Sequence, residues 1–343
     1  MFTTIISLSI SLFLYFLAKY RVAINIIFLL SVFALIATNT HNHDFYGYQM
    51  IFENPFAFTE PGYALLVESL KLIGGSGHES VLFVFGLLVL YTFIRLLKYS
   101  KFIYLYIFLY FIYLLPLDIT QIRFGIASFI FINAVVALSQ GKKFIAISVS
   151  LISISFHFIM IVPVIILLTS LFRANKIVSI SFIITSFILS IAFFEFILKQ
   201  AVLAGVSPRT LAFYIAENRL HLQFYMWVIP IVAALIFFKY NENSSSILGS
   251  KSFPLYSLII KISVISLIFS PGLFYIVEFH RIYRLVVMLL LLNGVLLMAH
   301  MRFNSGLNVY IGLVALSGFY GVLIAVGINY DYIYWGLGEP RIN

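Results

Sequence analysis

Long apolar runs separated by short polar or charged stretches follow one another along almost the whole chain. The runs are rich in Leu, Ile and Phe and do not alternate with polar residues, which favours helices over the strands of a membrane barrel. Most of them approach the length that a bilayer-crossing helix needs. The pattern predicts twelve spans, at residues 2–18, 22–38, 79–97, 102–116, 120–139, 143–156, 158–172, 177–198, 223–239, 254–274, 285–301 and 307–328.

Composition agrees with this pattern. Hydrophobic residues make up 63% of the 343 residues and charged residues only 10%, which is more apolar surface than a water-soluble domain can bury. We therefore expect an all-α, polytopic integral membrane protein with about 11–12 transmembrane helices. Residues 1–343 should form a single membrane domain with no separate soluble domain.

The distribution of charge predicts which side of the membrane each loop faces. If the N-terminus lies outside, the short inner connections hold most of the Lys and Arg, as the positive-inside rule requires. Only Glu242 of the 12 acidic residues then falls inside. The net charge of +9 therefore reflects sidedness, and nucleic acid is not an expected partner. The outer loops are predicted at about 39–78, 199–222 and 275–284, so any chemistry should face outward.

A mostly apolar segment lies between the basic marks Gly141–Lys143 and Arg173–Lys176, and a single spanning helix would place one of these marks outside the membrane. We predict a hairpin of two short helices, split at "SFHF" (Ser155–Phe158), with His157 at its tip near the outer surface. A polar group at that depth is costly and often functional. The alternative is a histidine that is simply satisfied between helices.

Arginines recur near the predicted outer surface. In "LPLDITQIRFGIA" (Leu115–Ala127), Asp118 and Gln121 have the spacing of a capping box, and Arg123 follows in the first turns of the helix. A helix N-terminus attracts anions, so a guanidinium there can help to bind one. Alternatively, Asp118 only caps the helix and Arg123 extends to the lipid headgroups.

Two more outer stretches carry arginines. In "EFHRIYR" (Glu278–Arg284), Arg281 and Arg284 would share a helix face and suit a phosphate or pyrophosphate. Their alternative role is anchoring at the membrane interface. Arg209 and Arg219 lie in a loop that could close over a substrate, or could form an ordinary solvated surface.

In "FTEPGYALL" (Phe58–Leu66), Glu60 stands before a Pro–Gly pair that could form a turn. A short helix should follow on the membrane surface over Tyr63–Leu72. Glu60 could act as a general base or bind sugar hydroxyls, or it could be an acidic residue that the helix dipole favours. The face expected to be buried consists of Tyr63, Leu66, Leu70 and Ile73.

Several chemistries find no support in the sequence. The chain has no cysteine, so disulfides, thiolate metal sites and a cysteine nucleophile are excluded. No phosphate-binding glycine loop, zinc-binding histidine motif, serine-nucleophile motif or paired aspartate motif is present. We expect no metal and no cofactor.

The order of "EPGY", "QIRFGIA", "SFHF" and the late outer basic residues resembles the EpsG/Wzy family of O-antigen or exopolysaccharide repeat-unit polymerases. The resemblance implies a fold like the membrane-embedded GT-C class and a metal-independent glycosyltransferase. Its substrate would be an undecaprenyl-pyrophosphate-linked oligosaccharide. It also implies a place in the bacterial inner membrane with the active site facing the periplasm, and two partners, a flippase and a Wzz-like chain-length co-polymerase.

This family context suggests roles for the candidate residues. The catalytic candidates are Glu60 and His157. The candidates for binding the pyrophosphate are Arg123, Arg281, Arg284, Arg209 and Arg219. The candidates for contacting the rest of the substrate are Asp44, Tyr63, Gln121 and Tyr283.

Two other functions remain open at this stage. The first is an O-antigen ligase-like GT-C transferase, which uses the same lipid donor with a different acceptor. The second is a flippase or transporter of a lipid-linked glycan, which would place polar residues along the middle of several spans. The predicted spans are nearly free of such residues, which favours the polymerase.

Overall fold

The computed structural model describes residues 21–40, 44–58, 60–171, 220–240, 252–275 and 279–298, and all regular elements within these ranges are helical. Two of them are short 3-10 turns, Phe158–Met160 and Leu267–Phe269. The α-helices are α1 (Arg21–Ala37), α2 (Phe45–Glu53), α3 (Pro55–Phe58), α4 (Pro61–Leu72), α5 (Glu79–Leu96), α6 (Ile103–Tyr113), α7 (Leu115–Thr120), α8 (Ile122–Ser139), α9 (Lys143–Phe156), α10 (Ile161–Ser170), α11 (Leu220–Tyr240), α12 (Phe253–Ser266), α13 (Gly272–Tyr275) and α14 (Phe279–Met298).

Three of the described helices, α5, α8 and α14, are long and apolar enough to cross a membrane. Shorter apolar helices accompany them, among them α1, α6, α9, α11 and α12. Large hydrophobic side chains such as Ile27, Tyr91 and Phe144 are exposed on the outer surfaces of these helices, where lipid rather than water is the suitable solvent. The expectation of an all-α polytopic membrane protein is confirmed.

The described residues group into two compact units. The first contains α1 to α9 together with residues 252–256 and 291–298. The second contains α10, α11 and residues 257–275 and 279–290. This division does not test the prediction of a single membrane domain with outer loops, which stays a prediction.

The first unit is built around α6, which has no polar face and is buried on all sides. The ring of Phe93 packs edge-on against the rings of Tyr110 and Phe129, with centroids 5.4 and 5.7 Å apart. Such edge-to-face contacts are favourable because the positive ring edge meets the negative ring face. Aromatic side chains therefore join α5, α6 and α8 into one core.

A buried polar cluster fixes the direction of α5 relative to α8. Near the end of α5, Arg95 donates to the amide oxygen of Asn133 at 2.6 Å, and the Asn133 amide group donates to the hydroxyl of Thr92 at 2.6 Å. Asn133 lies in the second half of α8, so the two helices run parallel and their N-termini lie at the same end of the unit.

Two glycines allow close turns and close packing in this unit. Helices α8 and α9 pack along each other and are joined at Gly141, whose φ of 78° suits glycine. Helix α4 packs on the end of α9, where a Cβ added to Gly62 would lie 2.8 Å from both Cβ and the carbonyl oxygen of Ser155. Only hydrogen fits at that position.

The predicted break at Ser155–Phe158 is confirmed. Helix α9 ends at Phe156, His157 has extended backbone angles, and a 3-10 turn begins at Phe158. The prediction that the two flanking helices form a hairpin remains a prediction.

Other boundaries differ from the prediction. The stretch predicted as the loop 39–78 contains two helices that were not predicted, α2 and α3, while the short helix predicted over Tyr63–Leu72 is confirmed as α4. The buried side chains of α4 are Tyr63, Ala64, Val67 and Leu70, while the predicted contact Ile73 is 81% exposed. Ile73 falls outside because it lies one residue beyond the end of the helix.

The late segments also need correction. Helix α14 begins at Phe279, six residues before the span predicted to start at 285, so the second half of the predicted outer loop 275–284 is helical, and its place outside the membrane remains a prediction. The helix continues through Arg281 and Arg284, and Arg284 is fully buried in it. The span predicted at 254–274 is interrupted before Pro271, which lacks the amide donor that a continuing helix needs. The spans predicted at 2–18, 177–198 and 307–328 lie outside the described residues.

The contact between α4 and α9 leads to a prediction. Gly62→Ala should lower the unfolding free energy of the detergent-solubilised protein by about 1–3 kcal/mol, because the new methyl group overlaps backbone atoms of Ser155. The measurement is thermal or denaturant unfolding.

Gly47→Ala is the matched control, because no atom lies within 4 Å of an added Cβ there. That change lies inside α2 and should be neutral or stabilising by up to about 1 kcal/mol. Equal effects from the two alanines would contradict the close packing of α4 on α9.

Candidate active site

The candidate site lies in the first unit, where the ends of three helices meet. Glu60 immediately precedes α4, Arg123 lies in the first turn of α8, and His157 follows the last residue of α9. Helix ends expose backbone groups that helix interiors do not. Three segments that are far apart in sequence therefore contribute to one small region.

An ion pair between Glu60 and Arg123 forms the centre of this region. Nη1 of Arg123 lies 2.6 Å from Oε2 of Glu60, and the two side chains are only 27% and 20% exposed. The other carboxylate oxygen accepts a long contact of 3.4 Å from the backbone N–H of Phe158. The carboxylate therefore contacts both α8 and the chain beyond α9.

Local sequence explains why the Glu60 carboxylate is available for this pair. Glu60 is the N-cap residue of α4 but makes no side-chain capping bond. Pro61, the first helical residue, has a fixed φ that suits a helix start without a capping bond to its own nitrogen. The side chain can therefore turn away from its own helix and reach Arg123.

Two buried tyrosines, Tyr48 of α2 and Tyr63 of α4, line the same region. Their rings lie 6.1 Å apart, and Tyr48 interacts with the Arg123 guanidinium. Burial raises the pKa of both phenols, and the positive charge of Arg123 opposes that rise. Both side chains therefore stay protonated and can act as hydrogen-bond donors.

Two polar atoms beside the ion pair have no hydrogen-bond partner among the described residues. They are Nε of Arg123 and the hydroxyl of Tyr63, and both are buried. Leaving a buried donor unpaired costs roughly 1–3 kcal/mol, so native structures rarely keep one without a reason. Oxygen atoms of a ligand would satisfy both groups.

His78 is a part of this region that sequence reasoning missed. The imidazole is fully buried and stacks on the ring of Tyr48, with centroids 4.9 Å apart and planes at 8°. Phe45 also packs against the imidazole, with ring centroids 5.5 Å apart, and neither ring nitrogen has a partner within the described part of the chain. The one available signal was a histidine directly before an apolar span.

His157, the second catalytic candidate, lies beside this group. Its ring packs edge-on against Phe124, with centroids 5.6 Å apart. Phe124 follows Arg123 in α8, and the N–H of Phe158 contacts Glu60. The fold thus brings Glu60, Arg123 and His157 together, although their assigned roles remain predictions.

The predicted capping box is wrong. Asp118 lies inside α7, where it is fully buried and accepts a hydrogen bond from the hydroxyl of Tyr110 at 3.0 Å. Gln121 is the N-cap residue of α8 and makes no side-chain capping bond. A separate short helix forms at Leu115–Thr120, with Pro116 in its first turn where proline is well tolerated, so Asp118 falls one helix earlier than expected. Gln121 lies two residues before Arg123 in the sequence. Its predicted contact with the substrate remains a prediction.

The remaining candidates are more scattered. Asp44 is exposed at the start of α2. Arg281, Tyr283 and Arg284 lie in α14 within the second unit, where Tyr283 donates to the carbonyl oxygen of Ser266 at 2.8 Å. Arg284 is fully buried. Their predicted contacts with substrate and pyrophosphate remain predictions, and Arg209 and Arg219 lie outside the described residues.

The geometry combines a carboxylate, a guanidinium and buried phenol donors at one partly exposed point. A guanidinium binds phosphate oxygens well, because its donors form a fixed fork. A carboxylate next to it can accept a proton or orient a hydroxyl. The group is therefore suited to a substrate that carries both a phosphate and a reacting hydroxyl.

Comparison with known proteins gives one match. The family model described as the EpsG family matches residues 20–334, which is most of the chain and includes every described helix. No curated protein and no solved structure matches.

The buried imidazole predicts how stability depends on pH. Burial lowers the pKa of His78 to about 4, from an ordinary value of 6.5. The folded protein therefore binds fewer protons than the unfolded chain between these values, so stability should fall as the pH drops from about 6.5 towards 4. At most about 3 kcal/mol is lost in this way.

His78→Phe should abolish this part of the pH dependence, because phenylalanine keeps the stack on Tyr48 and cannot be protonated. The measurement is the unfolding of both proteins in detergent between pH 7.5 and 4.5. The difference between the two curves isolates His78 from other titrating groups. Parallel curves would contradict a buried neutral imidazole.

Proposed function

The chain belongs to the EpsG family, and from this premise we propose that it polymerises undecaprenyl-pyrophosphate-linked oligosaccharide repeat units. Family membership supports a polysaccharide-polymerase role in general. The product in this proposal is an O-antigen or a related surface polysaccharide. The observation that carries the proposal at the level of residues is the partly buried ion pair of Glu60 and Arg123.

The proposed reaction transfers the growing glycan to a new repeat unit. The acceptor hydroxyl oxygen forms a bond to the anomeric carbon of the donor sugar. The bond from that carbon to the diphosphate oxygen breaks, and its electron pair leaves on undecaprenyl diphosphate. Glu60 accepts the hydroxyl proton, and Arg123 offsets the charge that develops on the leaving group. We propose a metal-independent transfer because a guanidinium can supply this positive charge.

Charge distribution within the first unit supports an outward-facing site. The parallel direction of α5 and α8 places the start of α8, with Arg123, at one end of the unit. The far ends of these helices and their connections carry the basic residues Arg95, Lys98, Lys101, Lys142 and Lys143. Basic ends face the cytoplasm by the positive-inside rule. In this proposal the end with Glu60 therefore faces the periplasm from the inner membrane.

Partners follow from the proposed chemistry. The donor and the acceptor are both lipid-linked glycans, which a flippase must deliver to the outer leaflet. A chain-length co-polymerase of the Wzz type would act on the same growing polymer. These partners belong to the proposal and not to the contacts seen in the structure.

The experiment that tests the function is deletion of the gene in its own bacterium, followed by gel analysis of the surface glycan. A glycan that stops at one repeat unit supports a polymerase. Complete loss of glycan would instead indicate a ligase-like transferase or a flippase, and an unchanged ladder would contradict all three.

Complementation of the deletion strain then tests the site. Arg123→Ala and Glu60→Ala should each reduce long-chain glycan at least about 100-fold, because charge stabilisation and proton transfer each contribute factors of that order. The measurement is glycan chain length at matched protein levels in the membrane.

Lys71→Ala is the matched control. Lys71 pairs with Glu68 at 2.8 Å in the same helix α4 and is similarly exposed, but it does not contact Arg123. Its loss should leave the glycan ladder unchanged. Normal chain lengths with Arg123→Ala would refute the assignment of this arginine.

A further inference from the structure

The ion pair at the candidate site has an unusual form. Glu60 accepts from Nη1 of Arg123 at 2.6 Å, while the buried Nε of the same guanidinium has no partner among the described residues. The carboxylate thus engages the guanidinium at Nη1 and leaves Nε unused. Arg–carboxylate and Arg–phosphate pairs often use two parallel bonds, and this pair does not.

The carboxylate is weakly held on its other side. Its second oxygen lies 3.4 Å from the N–H of Phe158, which is at the long limit of a hydrogen bond. Glu60 makes no capping bond to α4. One strong contact, to Arg123, therefore fixes the side chain, and both residues retain enough exposure for a soluble anion to reach them.

A diphosphate offers what this guanidinium lacks. It carries several negatively charged oxygens on two phosphate groups, so one group can accept from the guanidinium edge that contains Nε while the other competes with Glu60 for Nη1, and it bears more charge than one carboxylate. The buried hydroxyl of Tyr63 also has no partner among the described residues and is a further donor. The positive charge of Arg123 opposes the rise in the pKa of this phenol, so the two groups lie near each other. In the resting protein, the Glu60 carboxylate thus takes the place that a bound anion would have at Arg123.

We propose that Glu60 is the resting counter-ion of Arg123 and that the diphosphate of the lipid-linked donor replaces it there. This inference rests on the proposed function and adds a regulatory step to it. Binding of the donor releases the carboxylate, so the base becomes free only when the leaving group is in place. Without donor, Glu60 stays paired and cannot accept the proton of an acceptor hydroxyl or of water.

The first test measures binding of farnesyl diphosphate to the full-length protein in detergent, by calorimetry. Glu60→Gln should bind about tenfold more tightly than the wild type, because a competing charge-assisted contact is removed. Inorganic pyrophosphate should show the same gain, since the anion is the group recognised. Farnesol, which has the tail without the charge, should show none.

Two controls accompany this test. Glu68→Gln removes a carboxylate of the same helix that pairs with Lys71, and it should leave the affinity unchanged. The double variant Glu60→Gln with Arg123→Gln should lose the gain, because the site of competition is gone. Unchanged or weaker binding by Glu60→Gln alone would overturn the exchange.

A second measurement uses the wild-type protein and so does not depend on the folding of a variant. Carboxyl-directed labelling, read by mass spectrometry, should modify Glu60 faster when farnesyl diphosphate is present than when it is absent. Glu68 should react equally in both. Equal labelling of Glu60 in both states would also overturn the exchange.

The outcomes separate this inference from the proposed function. If Glu60→Gln abolishes polymerisation but leaves diphosphate affinity unchanged, the function stands and the exchange fails. If affinity rises while glycan chain length stays normal, Arg123 and Glu60 do compete with diphosphate, but Glu60 is not the base.

Discussion

The ion pair between Glu60 and Arg123 connects parts of the chain that are far apart in sequence. Its partners are 63 residues apart, and Phe158, which makes the long contact, lies 98 residues from Glu60. An ion pair on an open surface contributes little because water screens it. Here partial burial strengthens the attraction, but it also makes each charge costly without the other. The positions of α4, α8 and the end of α9 are therefore linked through one carboxylate group.

Aromatic packing supplies the rigidity that this contact needs. The stack of His78 on Tyr48 holds a ring that interacts with Arg123, and the rings around Phe93 hold α5, α6 and α8 together. Such rings lose little conformational freedom for the area they bury. At the other end of α5 and α8, the cluster around Asn133 satisfies an arginine inside the apolar unit. Polar groups thus occur in small paired sets at both ends of an apolar body.

The sequence predicted the helices well because the apolar runs are long and the breaks between them carry charge or proline. Glu60, Arg123 and His157 were each selected as chemically unusual residues. Their contact with one another could not be predicted, because no local pattern records which helix ends meet. The prediction of a capping box at Asp118 and Gln121 was wrong because the chain forms an extra short helix, α7, around Pro116. The role of His78 depends on a stack with a residue of another helix, and that information is absent from local spacing.

The tight fit of Gly62 against Ser155 has a consequence for the speed of events at the site. The backbone beneath Glu60 cannot shift without separating α4 from α9, so segmental sliding is an unsuitable route for moving the carboxylate. Rotation about the side-chain bonds remains, and it is a local motion, whereas movements of loops and helices are slower. Departure of the glutamate would then require no displacement of the backbone, and the three helix ends would keep their places while the anion enters.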